Sequence, residues 1–134
     1  MSAEPVGQDV TTEVRLAVAA AGAARATPGV VRLQPGLWGL VQQLTRELWE
    51  RATGQCYPDV GGVRVSLGGG AATVEIALVT DARFEAASVA VAAQRAAADA
   101  VGLAAGADGP ELRSVAVHIS EISLTGLLNG APSA

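Results

Sequence analysis

There is no lysine in this 134-residue chain: all nine basic side chains are arginine, and thirteen carboxylates outnumber them to give a formal charge of −4. Phosphate backbones are held by clustered positive charge, so this balance offers a nucleic-acid partner no general electrostatic attraction. Cysteine and histidine occur once each, as Cys56 and His118, which leaves almost no material for a metal site and no intrachain disulfide. The cytoplasm is then the default compartment. The aromatics are Trp38, Trp49, Tyr57 and Phe84 alone, so the core has to be built from Val, Leu, Ile and Ala. Long hydrophobic runs are missing too: no stretch reaches the ~18 uncharged apolar residues of a membrane span. An Ala-rich run at Leu16–Ala24 imitates a signal sequence, but Glu4, Asp9 and Glu13 precede it where a secretory signal needs basic residues.

What is present is enough apolar material for one domain with a small core, since half of the residues are hydrophobic. Residues 1–11 read as a flexible tail with Pro5 and Gly7. Thr11 or Thr12 then caps an Ala-rich helix that runs to about Ala26, where Pro28 and Gly29 end it. Val30–Leu33 reads as a short strand. From about 39 to 52, Leu40, Val41, Leu44 and Leu48 fall at helical spacing, with Trp38, Thr45 and Trp49 as a second seam beside them. This inserted amphipathic helix and its loop occupy residues 37–57.

The next stretch alternates most clearly. Val63, Val65 and Leu67, then Gly68-Gly69-Gly70, then Val74, Ile76 and Leu78 describe a hairpin. Placing both apolar rows on one face sets Val65 opposite Val74 and Val63 opposite Ile76, because a one-residue slip inverts every side chain. The same register puts Arg64 opposite Glu75 and Ser66 opposite Thr73. A helix follows from about Ala82 to Val101, with Asp81 as its cap, a polar stripe of Glu85, Ser88, Ala92, Arg95 and Asp99, and an Ala-rich opposite side. Val115, Val117 and Ile119 alternate in a strand from about 113 to 122, and residues 123–134 are a tail. The helical crossover is long enough to make this last strand parallel to the one at 74–80. The fold class is α+β: a small, mostly antiparallel sheet of three to four strands with helices packed on one face, in the order α-β-(α)-β-β-α-β.

That order, with its landmarks, resembles the alkaline shock protein family, the general-stress or envelope-stress-response proteins of Gram-positive bacteria. The matching segments are Ala26-Thr27-Pro28-Gly29-Val30, Gly61-Gly62-Val63-Arg64-Val65, Thr73-Val74-Glu75-Ile76-Ala77-Leu78-Val79, the helix between Glu85 and Val101, and Val115-Ala116-Val117-His118-Ile119. With the Ala-rich first helix that ends in the first of these segments, the resemblance covers about residues 12–122, and the Arg-only, Ala- and Gly-rich composition suits an actinobacterial-type member. The chain departs from the short family members in its long 37–57 segment and in the scarcity of large apolar residues on its later helix. The resemblance implies a cytoplasmic, non-enzymatic protein of the stress response that self-assembles, a homo-oligomer held at the cell envelope by a membrane-anchored protein partner. The residues themselves lead to the expectation of no cofactor, no catalytic residue, no metal and no nucleic acid, and Arg46 and Arg51 balanced by Glu47 and Glu50 on the inserted helix argue against direct insertion into the membrane.

Read on its own chemistry, His118 is the chain's single imidazole, and its outward place on a strand makes it a general base, a pH sensor or a plain surface histidine. Cys56 has no neighbouring base or second cysteine to activate it. Gly68-Gly69-Gly70 lacks the Lys-Ser/Thr that follows a phosphate loop and reads as a turn. Glu75, Asp81 and Glu85 are close in sequence but straddle a strand end and a helix start. The seam of Trp38, Val41, Thr45 and Trp49 is the candidate partner interface, because a small sheet has difficulty burying two apolar seams of one helix. Two other readings stand beside the scaffold. A KH-like RNA-binding module needs a GxxG loop between helices and a basic groove, and Gly36-Leu37-Trp38-Gly39 follows a strand. An oligomeric enzyme with a site between subunits needs catalytic residues that this composition hardly supplies.

Overall fold

The computed structural model describes residues 6–34, 39–54 and 60–125, with the side chains of residues 6–9, 39–42 and 45 outside that description. Its elements are α1 (Val6–Arg25), β1 (Val30–Leu33), α2 (Gly39–Thr53), β2 (Val63–Gly68), β3 (Ala71–Asp81), α3 (Ala86–Ala105) and β4 (Glu111–Ser123). This is the expected α+β order.

β3 is the centre of the sheet. On one side it pairs antiparallel with β2 over Ala71–Ile76 and with β1 over Leu78–Thr80; on the other it pairs parallel with β4 along its whole length. Thus β1 and β2 lie end to end on one edge, and they meet opposite Ala77. There Ala77 donates its N–H to the Gly62 carbonyl at 2.8 Å and accepts the N–H of Gln34 at 2.9 Å. The hairpin register follows the apolar rows as expected, with Val63 opposite Ile76, Arg64 opposite Glu75, Val65 opposite Val74 and Ser66 opposite Thr73. Gly69 and Gly70 both take positive φ, which the tight two-residue turn demands. The 20-residue α3 returns the chain to make β4 parallel to β3, also as expected.

The core lies between one face of this sheet and the pair α1 and α3. Even-numbered β3 residues Ala72, Val74, Ile76 and Leu78 meet Leu16, Ala17, Ala20, Ala21 and Ala24 of α1 and Ala93, Ala97 and Val101 of α3. Alanine where helices meet lets their axes come toward the short end of the usual range of about 8–10 Å. The largest fully buried side chains include Leu16, Ile76 and Leu78; each such burial stabilises by about 1.5–3 kcal/mol. Gln94 ties α3 to the sheet edge by donating from Nε2 to the Val115 carbonyl at 2.7 Å.

Three local expectations are corrected. α1 begins at Val6, so residues 6–11 belong to the helix and not to a tail; tertiary packing of Val10 and Val14 carries it past the threonines. α3 starts at Ala86 and runs to Ala105. Asp81 closes β3 instead of capping α3: its Oδ1 accepts the backbone N–H of Arg83 at 2.9 Å, a local turn that competes with capping, and Glu85 is the N-cap residue.

Gly62 has φ of 93°, and a Cβ there would fall 2.9 Å from Leu33 Cβ and 3.1 Å from the Ala77 carbonyl oxygen. Gly62→Ala is therefore expected to cost about 1–3 kcal/mol of stability. Gly69→Asn, in an open turn with nothing within 4 Å of its Cβ position, should change it by no more than about 0.5 kcal/mol. Urea denaturation of the two variants measures both.

Candidate interaction surface

The face of the sheet opposite α1 and α3 carries mostly polar side chains. Register sets its rows: Ser66, Thr73 and Ser114; Arg64, Glu75 and Ala116; Ala77 and His118; Arg32, Val79 and Glu121. Arg32 Nη2 reaches Glu121 Oε1 at 3.5 Å across the central strand, so this pair arches over Val79. Val79 and Ala77 are fully buried although they belong to this outer face. His118 stands in the next row with Nε2 3.9 Å from Glu75 Oε1, its side chain about half exposed. The carboxylate that the sequence alone could not place beside His118 thus comes from the neighbouring strand. Both groups are solvated, and an exposed pair of this kind contributes at most about 1 kcal/mol.

The three clustered carboxylates of the sequence do not form a site. Asp81 binds Arg83 through a forked contact, 2.6 Å from Nη2 and 3.1 Å from Nε. Glu85 accepts a hydrogen bond from Ser88 Oγ. Glu75 lies by His118. Among the described residues no group of three His, Cys, Asp or Glu side chains is arranged to hold a metal ion. The glycine turn lines a wide, open cleft of about 880 Å³ with Thr12, Glu13, Arg15, Asp108 and Pro110. Arg15 there donates from Nε to the Ala104 carbonyl at 3.4 Å, fixing α1 against the end of α3. Carboxylates and small residues dominate this cleft, which makes it a poor cradle for phosphate.

Of the proposed aromatic interface, Trp38 lies outside the described residues, as do Cys56 and Tyr57. Val41 and Thr45 are placed on α2, with side chains outside the description. Trp49 is half buried, and its Nε1 is shielded from solvent with no acceptor among the described residues. Leu44 is an exposed large apolar residue of α2, at 59%. Gly36-Leu37-Trp38 of the GxxG-like segment also falls outside the description; Gly39 opens α2.

Comparisons with protein-family models, with curated proteins and with solved structures found no match to this chain.

The Arg83 hydrogen bonds, side chain first and backbone second, hold the Asp81 carboxyl below the usual carboxylate range. A lowered folded-state value means that this contact stabilises above the unfolded carboxylate's range and is lost as pH falls through the folded value. Asp81→Asn should be less stable than the parent at neutral pH, and the gap should close in acid. Urea midpoints across that pH range measure it.

Proposed function

We propose that this chain is a non-enzymatic envelope stress response protein of the alkaline shock kind: a cytoplasmic scaffold that self-associates and binds a membrane-anchored protein. The observation that carries this reading is the placement of the two glycines in the short motifs on which the resemblance stands. Gly29 of Pro28-Gly29-Val30 has φ of 94°, and a Cβ there would lie 2.5 Å from Val89 Cγ2. Gly62 of Gly61-Gly62-Val63 sits at the joint opposite Ala77. Both motifs are therefore turns in which the packing itself asks for glycine, and they bracket the segment that sets this chain apart from short family members.

The surface chemistry supports the same reading. The outer sheet face carries charges of both signs, partly paired, which suits a protein partner better than a polyanion. No helix among the described residues is long and apolar enough to cross a membrane, so envelope attachment in this reading passes through the partner.

Fractionation of native cells with chemical cross-linking tests it. The protein is expected to sediment with membranes, to be released by a mild alkaline wash, and to cross-link to an integral protein. Recovery wholly in the soluble fraction, cross-linked to RNA or to a metabolic enzyme, would overturn it.

A further inference from the structure

Among the described residues β4 pairs with β3 alone, and the direction of its backbone groups can be worked out. Ala77 points its N–H and C=O toward β1 and β2, so even-numbered β3 residues turn theirs toward β4; the Leu78 carbonyl accordingly accepts Ser120 Oγ at 3.2 Å. In a parallel ladder a residue bonds to the two neighbours of its opposite number. Val74, opposite Val115, therefore bonds to Ser114 and Ala116. Val115, Val117 and Ile119 are left with N–H and C=O aimed outward. Of these groups, Gln94 takes the Val115 carbonyl, and the others find no partner among the described residues. Alongside runs an incompletely covered apolar strip: Val117 and Ile119 are half buried, Ile122 is 51% exposed, and Val91, one turn before Gln94 on α3, is 44% exposed.

A long unpaired strand of this kind is a template for another strand. We infer that β4 pairs antiparallel with β4 of a second copy of this chain, on a two-fold axis at Val117, to form one sheet continuous across a dimer. The faces of the sheet exclude a shift of one residue. Centring on Ala116 would bring Glu111 level with Glu121 of the second copy, two like charges, and centring on His118 would set that histidine against itself. Centring on Val117 pairs Val115 with Ile119 on the apolar side and brings Arg113 level with Glu121 at both ends of the ribbon. The regular run from Ser114 to Ile119, between the two irregularities in the β3–β4 ladder, supplies the straight segment that such pairing needs. The dimer gives the self-association of the proposed function its surface and rests on that reading for its biological use.

The test uses the purified 134-residue chain, so its failure is separate from failure of the envelope reading, which the cell fractionation decides. Cys56→Ser removes the natural thiol, and Val117→Cys is then treated with a short bismaleimide. Opposed residues in such a pair stand about 5.5 Å apart, so most of the protein should become covalent dimer. Leu103→Cys, highly exposed at the far end of α3, should yield little. Light scattering of the unmodified chain should give twice the monomer mass, and Ile119→Lys should return it to monomer with its circular dichroism retained. A monomeric parent chain, or equal linking at positions 117 and 103, overturns the inference.

Discussion

Ala77 joins two strands that are otherwise separate. Its N–H holds Gly62 at the start of β2, and its carbonyl holds Gln34 at the end of β1. The rest of the structure depends on this double use of one peptide unit. It lets the 11-residue β3 serve two short strands on one edge and the 13-residue β4 on the other. The close approach leaves no room for a side chain at Gly62. It also aligns Arg32 and Glu121 on either side of Val79, so that an ion pair between residues far apart in sequence crosses the middle of the sheet. The helices respond to the same frame, with α1 lying against β1 and β2, α3 against β4, and alanines between the two.

Much of this was legible in the residues, because period-two alternation on both sides of a glycine turn has one self-consistent register. The four opposed pairs from Val63 to Ser66 follow from it. So does the parallel return, since the linker is long enough for a helix. The placement of β1 was not legible: four residues, Val30–Leu33, contain no signal for which strand they join. The Arg32–Glu121 and His118–Glu75 contacts depended on that missing information and on the registers around β3. Helix ends were misjudged where local rules met tertiary ones. Thr11 and Thr12 look like caps, yet buried Val10 and Val14 extend α1 through them. Asp81 looks like a cap, yet Arg83 two residues on occupies its carboxylate.

The candidate site was less legible than the fold. The aromatic seam rests on Trp38 and Trp49, of which only Trp49 is described, and its indole N–H is turned away from solvent. What the structure adds is backbone, which composition does not announce. An edge strand offers the same N–H and C=O groups whatever its side chains, and only the topology reveals which edge is left open among the described residues. The outer face is mostly polar, whereas an apolar strip runs along the β4 edge. The proposed association through that edge would use backbone groups on a surface with so little aromatic and no lysine chemistry.

Native-state hydrogen exchange on the amides around β3 tests the central role of the Ala77 joint most directly. Ala77, Gln34 and the flanking β3 amides should exchange together, at the slow limit set by global unfolding. Exchange of the Gln34 and Ala77 amides far faster than that of Val74 or Leu78 would show that the joint opens on its own, and would contradict the account.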